Sequence, residues 1–207
     1  MTIWNLFSTP IYSNIFEYTD LDTIQKEIKD AIDLVKSNND IVSSNYFHSE
    51  HDPLNTKVYG NITTSKFLNE YSCSELVQKI SENVNQYFSN IGIKGPINLN
   101  IKNSWVTFSD RGNYTQTHHH QSCDISGIYY YKTSGKDGNL YFRTPTKYME
   151  ISNIFSRSSS DYSSQDYEIT PVTGMIILFP SWLDHGVRSN SSDSERISIS
   201  FNINSLD

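Results

Sequence analysis

Residues 96–107 read PINLNIKNSWVT, and their period decides how the chain is built. Ile97, Leu99, Ile101, Asn103, Trp105 and Thr107 recur at every second position. On an extended chain, residues two apart point the same way, so these six are expected on one side of a long strand.

Upstream of Pro96 the spacing is helical. Leu21, Ile24, Ile28, Ile32 and Val35 recur at steps of three and four behind Thr19 and Asp20, which predicts an amphipathic helix. Leu76, Ile80, Val84, Phe88 and Ile91 predict a second, with Ser72 and Glu75 as a capping box and Gly92 past its end. Downstream, strands are expected at Ser126–Lys132, Asn139–Arg143, Met175–Phe179 and Arg196–Ile203. Turns fall at Ser109–Asn113, around Gly135 and Gly138, and at Pro180–Trp182. Residues 146–168 are polar and serine-rich, and a stretch this long is either a lid-like insertion or a disordered one.

Helices followed by many strands read as an α+β chain that is mainly β with N-terminal helices. The expected architecture is a barrel or jelly roll, cupin-like, with helices packed on one face. The 207 residues suit one domain. Within it, 1–95 form a helical support region with the first strands, and 96–207 form the β core. No internal repeat is visible.

Composition narrows the partners. Charged residues are 19% of the chain and the net charge is −7, with no Lys/Arg run to track phosphates, so general nucleic-acid binding is not expected. No segment is long and apolar enough for a membrane span, and the N-terminus lacks the basic leader of a signal peptide. Cys73 and Cys123 have no metal-like spacing, so free thiols in a reducing cytoplasm are the simplest reading.

The chemistry lies in the histidines. His118, His119 and His120 are contiguous. On a strand His118 and His120 face one way and His119 the other, so the outer two can reach one metal. A third ligand must come from a distant segment, and His185 is the histidine available downstream. Imidazoles suit Fe(II), Cu, Ni and Zn alike, and a triple-His string also occurs as a solvated turn or adventitious binder. Further along, Arg196, Ser198, Ser200 and Asn202 face one side of the last strand. A guanidinium there can grip a carboxylate in bidentate fashion, with a hydroxyl two or four residues on adding a hydrogen bond.

Several stretches together carry a resemblance. They are Leu6–Tyr12, Gly112–Tyr114, His118–His120, Ser126–Tyr131, Gly138–Phe142, Pro171–Gly174, Phe179–Trp182 with His185, and Arg196–Asn202. In these the chain resembles the 2-oxoglutarate–Fe(II) oxygenases of marine bacteria and their phages, related to the prolyl-hydroxylase-like group with a double-stranded β-helix. The C-terminal half carries the specific motifs, and the helical part is similar only loosely.

The resemblance implies an Fe(II)- and 2-oxoglutarate-dependent dioxygenase, a hydroxylase that consumes O2 and releases succinate and CO2. It makes His118 and His185 iron ligands, and puts His120 where the wider superfamily usually has a carboxylate. It puts Arg196 on the distal carboxylate of 2-oxoglutarate, with Tyr130 and Ser198 or Ser200 as hydrogen-bonding partners. Ser126, Ile128 and Asn202 would line the same cavity, with Trp105 and Thr107 as weaker candidates. Asp124 is a carboxylate that could orient a ligand ring by a hydrogen bond, or an alternative third ligand; Asp184 is expected to point away from His185. An imidazole at 120 would fill the vacancy that admits a halide in halogenases, so hydroxylation is expected.

Two rivals stand beside this reading: a three-His metal dioxygenase that does not use 2-oxoglutarate, and a non-catalytic jelly-roll binding or structural protein. The substrate, peptide, protein or small molecule, is not legible, nor is whether the chain forms a homodimer. His48 and His51 are read as solvated loop residues.

Overall fold

The computed structural model describes residues 8–37, 41–43, 57–59, 66–95, 98–146 and 165–205. Leu6, Phe7, His48, His51, Ile97 and residues 147–164 of the serine-rich stretch lie outside the described residues.

Two antiparallel sheets face each other. The larger runs in the order β1 (Tyr12–Ile15), β9 (Met175–Pro180), β6 (Ile125–Lys132), β11 (Arg196–Ser205), β4 (Leu99–Ser109), β3 (Lys57–Tyr59), β2 (Ile41–Ser43). The smaller runs β5 (Thr115–His118), β10 (His185–Val187), β7 (Leu140–Arg143), β8 (Asp166–Ile169). Helices α1 (Tyr18–Ser37), α2 (Phe67–Glu70) and α3 (Ser74–Asn90) precede β4. This is a double-stranded β-helix with helices on one face.

Alternation along the central strands divides the interior in two. Ile197, Ile199, Phe201 and Ile203 of β11, with Val106, Phe108 and Tyr129, meet Ile24, Ile28, Ile32, Leu76, Ile80 and Val84 of the helices. Between the sheets, Ile128, Tyr130, Ile177 and Phe179 meet Leu140, Phe142 and Leu183. Each buried aliphatic or aromatic side chain contributes about 1.5–3 kcal/mol by leaving water. The polar members of β11 therefore face the inter-sheet space because their neighbours are committed to the helices. Gly127 is small for a packing reason: a Cβ there would lie 2.3 Å from the Phe201 ring.

The structure departs from the sequence expectations in four places. Leu99 and Ile101 do not share a side with Asn103, Trp105 and Thr107. The β4–β11 register slips between Asn202↔Asn103 and Ile203↔Ile101, so Leu99 and Ile101 pack toward the helices instead. One extra residue in a strand reverses the side of everything beyond it. Second, α3 has no Ser72/Glu75 capping box. Ser72 adopts φ 55°, and the helix start is capped by Glu27 of α1, whose carboxylate accepts from Ser74 Oγ, Glu75 N and Leu76 N. A carboxylate at a helix N-terminus satisfies orphan N–H groups and meets the positive end of the dipole. Third, Asp166–Ile169, assigned mostly to the polar stretch, is the edge strand β8 paired with β7. Fourth, His118 ends β5, and His120 lies beyond the strand.

Candidate active site

β5 and β10 are adjacent in the smaller sheet, and their pairing makes His118 and His185 direct Cα partners. His120 comes from the turn after β5, whose path is set by its backbone N–H donating to Ser181 O at 2.9 Å. The result is a cluster in which one ligand atom from each of His118, His120 and His185 lies within 4.8 Å of the others. Strand alternation alone does not place His120, because the strand has ended.

Two of the rings are locked by carbonyls two residues back. His118 Nδ1 is 2.8 Å from Gln116 O and His185 Nδ1 is 2.8 Å from Leu183 O. A carbonyl only accepts, so Nδ1 carries the proton in each and Nε2 keeps its lone pair, as in metal-binding histidines. Burial, then the neighbouring imidazoles, hold His185 well below its ordinary pKa. Burial and the nearby His118 and His119 push His120 down to about 3. His120 and His185 are therefore neutral at physiological pH, the form that binds a metal. Borderline nitrogen donors, converging and unprotonated, fit Fe(II).

His119 points elsewhere and bonds Asp184 Oδ1 at 2.9 Å on the surface. Asp184 is thus engaged with His119 and not with the cluster. Asp124 lies outside the cluster: its Oδ2 accepts Ser205 N–H at 2.7 Å. It supplies neither a ligand atom to the cluster nor a bond to any of the three rings among the described residues.

Arg196 is 2% exposed. Its Nη1 donates to Asp137 O at 2.7 Å and Gly138 O at 3.2 Å. Burial lowers its pKa, while Tyr130 and Asp137 act in the opposite direction. Tyr130 is on β6, two strands' width from β4, and burial drives its hydroxyl up to about 12, so it stays protonated. That hydroxyl has no hydrogen-bond partner among the described residues, and neither has Ser109 Oγ. Ser109 is the Cα partner of Arg196, and Tyr130 is the partner of Ser198. A buried guanidinium beside two orphaned hydroxyls is costly unless an anionic acceptor joins them, so the residues fit a carboxylate.

The remaining sequence candidates divide. Ser198 Oγ is 2.6 Å from Thr107 Oγ1, next to the Arg196 end of the strand. Ser200 is half-buried opposite Trp105 and Ile128. Ile128 packs in the inter-sheet core. Ser126 and Asn202 bond each other at 2.7 Å. Trp105 lies beside His120, ring centroids 5.7 Å apart. Sequence reasoning passed over Ser109, although it continues the inward face two residues past Thr107. It gave no site role to Asp137, Gly138 and Ser181, whose contributions here run partly through backbone carbonyls and leave no side-chain signature.

Residues 103–202 match a family model described as "Putative 2OG-Fe(II) oxygenase". No curated protein matches. Among solved structures the chain is similar to the non-heme α-ketoglutarate-dependent carbocyclase SnoK from nogalamycin biosynthesis. That match has TM-score 0.66 and 10% identity, covering 94% of this chain and 80% of that one. It is similar to a Pseudomonas putida prolyl-4-hydroxylase, with TM-score 0.54 and 12% identity over 96% of this chain and 94% of that one. A prolyl hydroxylase from Trichoplax adhaerens, in complex with a peptide fragment of the hypoxia inducible factor oxygen degradation domain, gives TM-score 0.59. Its identity is 14%, over 94% of this chain and 82% of that one.

Proposed function

We propose, from the match of residues 103–202 to the 2OG-Fe(II) oxygenase family model and the geometry of the site, that His118, His120 and His185 hold the iron and that Arg196 anchors 2-oxoglutarate during hydroxylation of a C–H bond. The observation that carries this reading is the convergence of three imidazoles within 4.8 Å. When bound, Fe(II) supplies the redox chemistry that couples oxidative decarboxylation of 2-oxoglutarate by O2 to oxidation of the substrate.

The protein's part is placement. Gln116 O and Leu183 O fix two rings with Nε2 presented inward. Neutral ligands leave the charge of Fe(II) to be balanced by the dianionic co-substrate. Arg196, with the protonated hydroxyl of Tyr130 and the neighbouring Ser198, receives the distal carboxylate. Ser200, Ile128, Ser126 and Asn202 line the space between. Phe142 and Phe179, packed against each other and near His185, keep water from one side of the cluster. With an imidazole at position 120 no coordination vacancy is reserved for a halide, which favours hydroxylation over halogenation.

The substrate is a peptidyl side chain or a small molecule; the likeness to a peptide-bound prolyl hydroxylase favours a peptide by analogy only. Residues 1–207 act as one oxygenase domain, an assignment supported by the helix-side core, which draws on residues from Phe16 to Ile203. Among the described residues no helix is long and apolar enough to cross a membrane. The free thiols of Cys73 and Cys123 accord with a reducing cytoplasm.

The test is anaerobic titration with Fe(II) and 2-oxoglutarate. A visible charge-transfer band that needs both, and O2-dependent succinate release, is the expected result. O2 uptake indifferent to 2-oxoglutarate would support instead a three-His dioxygenase that does not use it. Failure to retain any transition metal would remove the enzymatic reading.

A further inference from the structure

Of the three histidines, His120 alone has no hydrogen bond to its ring among those described. His118 and His185 are each steered by a carbonyl two residues back. His120 sits past the end of β5, so the sheet ladder does not hold it either. Its backbone is fastened instead to the turn after β9, through His120 N–H donating to Ser181 O at 2.9 Å. Whatever fixes Ser181 fixes His120.

Ser181 is fully buried, and its side chain ends a short polar chain. Ser126 Oγ donates to Asn202 Oδ1 at 2.7 Å and lies 2.9 Å from Ser181 Oγ. A serine hydroxyl has one proton, and Ser126 spends it on Asn202. Ser181 must therefore donate to Ser126, and the direction of the whole chain is set. The three residues come from the β9 turn, β6 and β11, and each is 2% exposed or less. Ser181 N–H also donates to Asp124 O at 3.1 Å, which closes the turn on the segment following His120.

We propose that Ser181, Ser126 and Asn202 form a positioning network that holds His120 on the metal, taking the place of the ring hydrogen bond that His118 and His185 have and His120 lacks. This rests on the reading of His120 as a ligand. The interior of the larger sheet is thereby divided in function. The Arg196 end, with Tyr130, Ser198 and Ser109, faces the co-substrate's carboxylate. The Asn202 end is already satisfied internally and braces the turn that carries the third imidazole. Trp105, against the His120 ring, limits the remaining freedom on that side.

The test uses Co(II), a redox-stable stand-in for Fe(II), and reads its d–d absorption during titration of the whole chain. Ser181→Ala is expected to weaken Co(II) binding about tenfold and alter the band shape, the size usual for losing an outer partner of a ligand. In a His120→Ala background the same substitution should change affinity less than twofold, because the network acts through that ring. Ser126→Ala, measured alike, serves if Ser181→Ala does not fold; both are checked by circular dichroism. Unchanged affinity in the wild-type background, or equal weakening in both backgrounds, overturns the network. If His120→Ala itself binds Co(II) as wild type does, the reading of His120 as a ligand falls, and the network with it. That outcome is distinguishable because it appears without touching Ser181.

Discussion

His118 and His185 are direct partners across the β5–β10 ladder, with ring centroids 4.4 Å apart and each Nδ1 tied to a carbonyl two residues earlier. A pair held by both backbone pairing and matched ring bonds is preorganised before any ion arrives. Replacing either by Ala is expected to abolish the charge-transfer band, a larger effect than the roughly 10–100-fold loss that follows removal of an outer partner. Metal-linked stability provides a second readout. At about a hundred times its Kd, Co(II) should raise wild-type stability by about 2.7 kcal/mol, a Tm rise of roughly 5–10 °C. Both variants should show no rise.

The orphaned Tyr130 hydroxyl makes a prediction of opposite signs. In the absence of an acceptor it is buried and unpaired, so Tyr130→Phe should leave stability unchanged or raise it by about 1 kcal/mol. On the proposed reading, in which the hydroxyl donates to the co-substrate's carboxylate, the same change should weaken 2-oxoglutarate binding by about tenfold. Arg196→Lys should weaken it more, about a hundredfold, since an ammonium cannot bind in bidentate fashion while keeping the contacts to Asp137 O and Gly138 O. Denaturant unfolding without co-substrate and calorimetric titration with it separate the two effects. A Tyr130→Phe variant that loses stability and binds normally would refute the assignment.

Much of this arrangement was legible because it is written in side-chain period. The helix faces are spelled by Ile24, Ile28, Ile32, Leu76, Ile80 and Val84, and the inward polar face of β11 by Arg196, Ser198, Ser200 and Asn202. What stayed hidden is carried by the backbone or by side chains far away in sequence. The slip beyond Asn103 moves Leu99 and Ile101 to the helix side, and no residue there announces a bulge. The cap on α3 comes from Glu27, 47 positions before Ser74. His120 meets the other imidazoles from a turn held by Ser181 O, where period-two alternation had offered a strand. Contacts between groups distant in sequence have no local spelling.

The β8 edge should confer an acid-side stability term. Burial pushes Asp166 upward, but hydrogen bonds from Arg143 and Arg188 outweigh it and its pKa is lowered; Asn139 and Arg188 lower that of Glu168. A carboxylate depressed in the folded state contributes stability above its unfolded pKa and loses it as pH falls through the folded one. The groups are partly exposed, so the contribution is about 1 kcal/mol or less. Asp166→Asn should therefore lower stability slightly at neutral pH and by less once the pH falls below the ordinary carboxylate range, as read from urea midpoints on both sides of it. A constant difference at all pH values would show that shape, not charge, matters at this edge.

Gly138 is required for two reasons that substitution can separate. Its φ is +96°, and a Cβ would lie 2.0 Å from Arg188 O and 3.3 Å from Arg196 Nη1. Arg188 O cannot retreat freely, because the same residue's N–H donates to Asn139 O at 2.9 Å. Gly135, at φ +74°, has nothing within 4 Å of such a Cβ. Gly135→Ala thus isolates the cost of a left-handed backbone, about 1 kcal/mol. Gly138→Ala adds overpacking and should cost about 3 kcal/mol in all. It should also displace Gly138 O from the guanidinium and raise the Kd for 2-oxoglutarate, whereas Gly135→Ala leaves that Kd unchanged. Equal stabilities for the two variants would mean that the turn yields, and that Arg196 is not held by the carbonyls it touches.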